Sequence, residues 1–256
     1  CPWTTTLAFA TEALSRGARL VRDTRVVDGR PGPVDTEVVT TAGRIRTTWV
    51  VNAAGLGGDE LDRMLGHDRF TVVPRRGELL VFDKLARPLV DVIVLPVPTA
   101  KGKGVLVSPT VFGNVMLGPN AADQDDKLDL ATTTCGLAEV MEGALKLVPG
   151  LDRRQVIRTF AGLRAGGNTG DFYIDAPREA PGLVVLAGIE SPGLTASPAI
   201  ARHVAELLRE SGLPMTLKSS FNPIRRGVPR FSELSMAERE ALLSESLQFA
   251  RTHLLR

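Results

Sequence analysis

The stretch from residue 182 to residue 209 constrains this chain most. Gly182 to Leu186 is a short apolar run of strand character, Ala187 to Pro198 is a turn rich in Gly, Ser and Pro, and Ala199 to Arg209 carries Ile200, Val204, Leu207 and Leu208 at helical spacing. Strand, glycine-rich turn and helix is the α/β arrangement that aims backbone N–H groups at an anionic or electron-rich ligand. Pro192 stiffens the turn, and Gly193 lets a ligand approach the backbone closely. An ordinary strand-to-helix connection has the same spacing, so the rest of the chain must separate the two readings.

With 256 residues, 43% hydrophobic and 23% charged, the chain has room for one large domain or two small ones of ordinary globular composition. Apolar runs such as Val90 to Leu95 are far too short to span a bilayer. The net charge of +2 is made by scattered basic residues and only 5% of residues are aromatic, which argues against a nucleic-acid partner. The two cysteines, Cys1 and Cys135, have no CxxC spacing, so neither a disulfide framework nor a metal site is expected, and a reducing, cytoplasmic setting fits. The chain opens on Cys1 where Met is usual, without the basic and apolar regions of a signal peptide, so it is expected to be a piece of a longer protein.

Along the chain, Thr4 to Ala18 reads as a helix stopped by Gly17, followed by strands over Arg19 to Asp28, Val34 to Thr41 and Arg44 to Asn52. Turn residues fill Gly29 to Pro33 and Thr41 to Gly43, and Trp49 to Asn52 is apolar enough for burial on both faces. Ala53 to Glu60 is a glycine-rich turn leading into a short helix, Leu61 to Leu65, but Glu60 stands where G-x-G-x-x-G needs its third glycine. Five further strands are expected at Phe70–Val73, Gly77–Phe82, Val90–Leu95, Gly104–Ser108 and Asn114–Leu117, then a helix over Asp129–Leu147. Two more strands, Gln155–Arg164 and Phe172–Ile174, precede the opening stretch. Strands in direct succession imply an antiparallel or mixed sheet. Residues 1–64 and 182–212 therefore read as parts of a parallel α/β layer, 65–181 as a sheet-rich insertion, and 213–256 as a linker and helical tail with a capping box at Ser235–Glu238 and a second amphipathic stretch over Ser244–Leu255.

Hydrolase and metal chemistries find no residues. His67, His203 and His253 are the only histidines, none at metal-ligand spacing, and no G-x-S-x-G is present. Lys101-Gly102-Lys103-Gly104 lacks the rest of a Walker A pattern and reads as a solvated hairpin. Arg164, ending the apolar strand Phe160–Arg164, can hold a carboxylate or phosphate through two parallel hydrogen bonds, or can close a structural ion pair. Arg75-Arg76-Gly77-Glu78 sets two arginines at a strand start, with Arg75 the better candidate for an exposed turn, and Glu190 is placed to cap the helix that follows it.

Val50–Gly55, Pro74–Glu78, Gly113–Val115 with Gly118–Pro119, Phe160–Arg164 and Gly188–Thr195 occur in this order, and together they resemble the D-amino-acid-oxidase-like superfamily of FAD-dependent oxidoreductases. Within it the chain looks most similar to anaerobic-type glycerol-3-phosphate dehydrogenases and to L-2-hydroxyglutarate oxidases, over residues 1 to about 250. The resemblance implies an α/β (α+β) fold: a partial FAD-binding, Rossmann-like layer with an inserted, largely antiparallel substrate domain. It implies that Ala53, Ala54 and Gly55 lie beside the ADP half of FAD and Val27 near adenine. Gly188, Ser191, Pro192, Gly193, Leu194 and Thr195 would wrap the pyrimidine side of the isoalloxazine, where the helix N-terminus favours negative charge on reduced flavin. Arg164 would hold the anionic group of a small substrate, with Arg76 and Gly77 beside the cleft, while hydride passes from a secondary alcohol to flavin.

The chain also departs from that pattern. It has no G-x-G-x-x-G to hold the FAD pyrophosphate, so weak or absent FAD binding and no activity are expected of these residues alone. In the anaerobic-type enzymes such a linker leads to a cysteine-rich iron–sulfur domain, whose cysteines are not among the residues up to Arg256, and Val105-Leu106-Val107 is apolar where glutarate oxidases carry a His. An amino-acid oxidase on the same fold and a cofactor-free scaffold module remain the competing readings. Electrons could leave to quinone, an iron–sulfur partner or oxygen, and the basic segment Ile224–Arg230 reads either as a solvated linker or as a contact with an acidic partner or the inner face of the membrane.

Overall fold

A computed structural model describes residues 2–98, 104–222, 224 and 231–245. Lys101 and Lys103, residues 225–230 of the basic segment and most of the last amphipathic stretch lie outside the described residues. The described residues fall into two compact units, one drawn from within 1–20 and 216–245 and one from within 21–215. Among them no helix is long and apolar enough to cross a membrane.

In the unit built from the two ends, α1 (Pro2–Ser15) stops where Gly17 turns to a φ of +96°. The Gly17 N–H donates to the Leu14 carbonyl and the Ala18 N–H to that of Ala13, satisfying the last turn. Arg16 reaches back to Glu12 at 2.5 Å and lies 5.1 Å from the centre of the Phe221 ring. At the other end, the Ser235 hydroxyl accepts from the Glu238 N–H while the Glu238 carboxylate accepts from the Ser235 N–H, a reciprocal cap that starts α5 (Met236–Glu245).

The larger unit has three sheets. β1 (Val26–Pro31), β2 (Thr36–Thr40) and β3 (Gly43–Thr47) form an antiparallel meander. The first strand starts later than the sequence suggests, because Asp23 adopts a φ of +55° and interrupts the extension, and it runs on through Pro31. The expected strand Arg44–Asn52 is two strands. Between them the Thr47 hydroxyl accepts from the Trp49 N–H and donates to the Trp49 carbonyl, which turns the backbone out of the meander. β4 (Val50–Asn52) then joins a different sheet, parallel to β11 (Leu183–Ala187), with β10 (Tyr173–Asp175) antiparallel on the far side. Since β4 pairs with β11 only, Val51 is 44% exposed and the expected burial of both faces is not found.

The third sheet is antiparallel and is organised on β5 (Val72–Phe82), one strand where two were expected. β9 (Val156–Gly167) pairs along one edge of β5, while β7 (Val115–Gly118) and β8 (Ala122–Asp123) share the other, and β6 (Leu106–Pro109) extends β7. Val90–Leu95 is no strand: it makes a single bridge, Val94 to Val107, and leaves Val92 and Ile93 exposed. Leu80, Phe82, Val107, Val115 and Leu117 bury one face of the sheet under Val140, Met141 and Ala144 of α3 (Thr134–Leu147). Each such Val, Leu, Phe or Met side chain contributes about 1.5–3 kcal/mol when fully buried. α3 begins five residues later than its apolar spacing implies. The Thr133 hydroxyl caps the Gly136 N–H at 3.0 Å, and Asp129 is drawn instead to Arg76 and to the Ala131 N–H. A second cluster packs Phe70, Val72, Leu183 and Val185 with Leu65, at the end of α2 (Gly58–Met64).

Gly136 lets the buried Glu78 carboxylate sit against the first turn of α3, since a Cβ there would overlap Glu78 Oε2. Gly136→Ala is therefore expected to destabilise the fold by about 3 kcal/mol, read as a lowered urea midpoint with an unchanged slope.

Candidate functional site

The only parallel pair of the described strands, β4 and β11, places two turns side by side at its carboxyl end, where α/β sheets bind ligands. Buried Asn52 shapes the first turn: its Nδ2 donates to the Gly58 carbonyl at 2.8 Å and its Oδ1 accepts from the Ala54 N–H at 3.3 Å. Gly55 sits within this turn at a φ of +57° with open space on its Cβ side. The second turn starts at Gly188, whose φ of +63° and approach to the Asp171 carbonyl both favour glycine. It leads into α4 (Gly193–Glu210), which starts earlier than Ala199 and has no side-chain cap and no acidic residue in its first turn. The first N–H groups of such a helix lack intrahelical acceptors and carry its positive dipole end. A cleft of about 520 Å³ lies between the two turns and β9, lined by Gly55, Leu56, Leu163–Ala165 and Ile189–Thr195.

β5 and β9 complete the site. In their register Arg75 lies opposite Arg164 and Gly77 opposite Gly162, so these four share one face. Like charges directly opposite one another are unfavourable, and here carboxylates compensate. Asp123 holds Arg75 at 2.6 Å and Glu190 lies 3.8 Å from its Nη1. The Asp123 hydrogen bond raises the Arg75 pKa, and Arg75 holds Asp123 below the usual carboxylate range. Arg164 has a different setting. Its Nη2 donates to the Asn120 carbonyl at 2.9 Å, and among the described residues no carboxylate is in ion-pair contact with it. Burial presses its pKa down, Glu190 opposes that, and Arg75 adds to it; a guanidinium nonetheless stays charged at any ordinary pH.

The structure thus brings Gly55, Arg164, Ser191, Pro192, Gly193, Leu194 and Thr195 to one cleft, with Gly188 at the start of its turn and exposed Ala53 and Ala54 just before Gly55. Gly77 lies under Arg164: a Cβ there would be 2.8 Å from Nη2 and 3.0 Å from Pro119 Cβ. Val27, in the β1–β3 meander, does not line the cleft. Arg76 is displaced from its expected place, because strand alternation turns it to the α3 face, where it pairs with Asp129. Arg75 occupies the cleft-side position instead. Gly193 is needed for local packing more than for ligand approach, since a Cβ would meet Ile189 Cγ2 at 2.5 Å. Glu190 does not cap α4; its carboxylate reaches Arg75. Sequence reading also passed over Gly162 and Asn120. Counting by twos from Gly77 finds Arg75, but nothing local marks Asn120.

Residues 1–207 match the family described as DAO, FAD dependent oxidoreductase. The chain belongs to this family of FAD-dependent oxidoreductases. It is 38% identical over 250 residues to a glycerol 3-phosphate dehydrogenase of Caloramator mitchellensis, covering 98% of this chain and 52% of that protein. A glycerol 3-phosphate oxidase of Mycoplasma genitalium is 34% identical, over 72% of this chain and 47% of that protein. Among solved structures, a dithionite-reduced L-α-glycerophosphate oxidase of Mycoplasma pneumoniae with FAD bound superposes with a TM-score of 0.75 at 30% identity, covering 83% of this chain and 56% of that one. The chain spans about half the length of the curated relatives it matches.

The residues present fit the isoalloxazine end of the family's FAD. The Gly193 N–H is taken by the Glu190 carbonyl, but no side chain caps the Leu194 and Thr195 N–H groups that follow, and Gly55, Gly57 and Gly162 have no atom within 4 Å of where a Cβ would stand. No G-x-G-x-x-G, the motif that binds a pyrophosphate, occurs within these 256 residues.

Gly77→Ala is expected to push the Arg164 guanidinium off the Asn120 carbonyl at a stability loss of roughly 1 kcal/mol, because the group that must move is the end of a flexible side chain. A crystal structure of the variant and chemical denaturation check the two parts separately.

Proposed function

We propose that these residues form the flavin-facing and substrate-binding part of an oxidoreductase that oxidises a secondary alcohol of a small anionic substrate, foremost sn-glycerol 3-phosphate. The observation that carries this reading is Arg164, a half-buried guanidinium held by a neutral carbonyl and facing the cleft at the start of α4. The relatives named as glycerol 3-phosphate dehydrogenase and oxidase support the choice of substrate.

FAD, when bound, would accept the hydride from the carbinol carbon. The chain's own residues bind and orient. Arg164 would hold the phosphate through N–H groups not engaged by Asn120. The Leu194 and Thr195 N–H groups, in the first turn of α4, would face the electron-rich edge of the flavin ring. Gly77 makes room for the Arg164 guanidinium itself, and Gly162, with no atom within 4 Å of where a Cβ would stand, leaves its part of the sheet face open to the carbon skeleton. In this reading 1–64 with 182–212 belong to the cofactor layer, 65–181 to the substrate domain and 213–256 to a linker and tail. The parallel β4–β11 pair and the antiparallel sheet confined to 72–167 support that division. The missing pyrophosphate motif supports weak association of FAD with these residues by themselves; tight stoichiometric binding in a fluorescence titration would overturn that part.

Supplied with FAD and a dye acceptor, the active protein is expected to oxidise sn-glycerol 3-phosphate in preference to L-2-hydroxyglutarate and amino acids, and exchanging the dye for quinone or oxygen identifies the acceptor. Arg164→Ala should raise KM by about 100-fold with a smaller change in kcat, as expected for loss of a charged clamp that acts on bound substrate throughout. An unchanged KM would show that Arg164 does not hold the substrate's anionic group.

A further inference from the structure

We propose that Asn120, locked by the buried Glu78, is the positioning residue that aims Arg164 at an anion. The proposal rests on the reading of Arg164 as the anion clamp and extends it to residues outside the cleft.

Three arginines share this part of the sheet and are held in two ways. Arg75 is engaged by Asp123 and Arg76 by Asp129, so the charge of each is compensated within the protein. Arg164 is held by the Asn120 main-chain carbonyl. A carbonyl fixes a guanidinium N–H in space without adding a negative charge, and Glu190 acts on Arg164 only from beyond ion-pair contact, so the cation stays available to an external anion. The aim of Arg164 then depends on how firmly that carbonyl is held.

The residue that carries it is anchored through its side chain. Asn120 is 5% exposed. Its Oδ1 accepts from the Glu78 N–H at 2.8 Å, and its Nδ2 donates to Glu78 Oε2 at 3.0 Å and Glu139 Oε2 at 3.1 Å. Both amide hydrogens are used, so the side chain has one orientation. Glu78 in turn is 1% exposed and accepts from the N–H and the hydroxyl of Thr133, the residue that caps α3. Gly136 clears the space for that carboxylate, and Gly77 clears the space for the guanidinium. Gly77 and Glu78 are adjacent on β5 and face opposite ways, so one strand holds Arg164 on its open face and Asn120 from its buried face.

The test is a cycle of Asn120→Ala and Arg164→Ala with inorganic phosphate as the probe, its Kd measured by calorimetry and folding checked by thermal melts. Asn120→Ala should weaken phosphate about tenfold in the parent protein, the size expected for losing control of a hydrogen bond to a charged group, and should have no further effect when Arg164 is already Ala. An equal loss in both backgrounds overturns the proposal, because Asn120 would then act without Arg164. If Arg164→Ala leaves phosphate binding unchanged, the clamp reading itself falls, a separate result. Should Asn120→Ala fail to fold, Glu139→Ala takes its place: Glu139 is an exposed residue of α3 that touches the Asn120 side chain. It should weaken phosphate about twofold, again only while Arg164 is present; no change overturns the proposal. In the FAD-loaded enzyme the same variants should raise KM with kcat nearly unchanged, a split that a general loosening of the fold does not produce.

Discussion

β5 holds two incompatible environments on one strand, and the period of two keeps them apart. Leu80 and Phe82 enter the apolar core with Arg76 and Glu78 in the same parity, while Arg75 and Gly77 face outward toward the cleft. The pairing with β9 runs without irregularity from Val72 to Val81, so the phase is preserved through the site. A shift of one residue would bury the Arg75 charge and expose Glu78. Core packing above β5 and charge placement below it are therefore set by the same register.

Turns that follow the parallel pair β4–β11 depend on a different device. Buried Asn52 bonds forward to Ala54 and Gly58, and Gly188 and Gly193 shape the approach to α4 by small size at close contacts. These are local, short-range constraints. They deliver a helix start without a side-chain cap beside a half-buried cation that, among the described residues, is in ion-pair contact with no carboxylate, Glu190 being the opposing charge nearby. Such a concentration of uncompensated donors is tolerated where an anion or an electron-rich ring completes the set.

Much of this was legible in the sequence. The strand–turn–helix at 182–209 was found from apolar spacing, and five short motifs in order indicated the family that residues 1–207 match. What local pattern misses is parity and partner choice. Arg75 and Arg76 are equivalent in composition, and only the pairing of Gly77 with Gly162 tells which one faces the cleft. Glu190 stands where a helix cap belongs, yet Arg75, more than a hundred residues earlier, takes its carboxylate. Asn120 acts through a main-chain carbonyl, a group every residue has, so its identity carries no signal until Glu78 is seen behind it. The split of Arg44–Asn52 into strands of two sheets was likewise hidden, because a single threonine hydroxyl redirects a run that is uniform in strand character.

The two facing glycines at 77 and 162 are not equivalent. At 77 the surrounding protein leaves no room, since Arg164 and Pro119 crowd the place of a side chain. At 162 the backbone φ is not positive and no atom lies within 4 Å of a Cβ. Nothing among the described residues therefore demands glycine at 162. A larger side chain at 77 would be resisted by the fold, whereas one at 162 would project from the sheet into open space next to Leu163 and Arg164 of the cleft, where an occupant would meet it before the protein does.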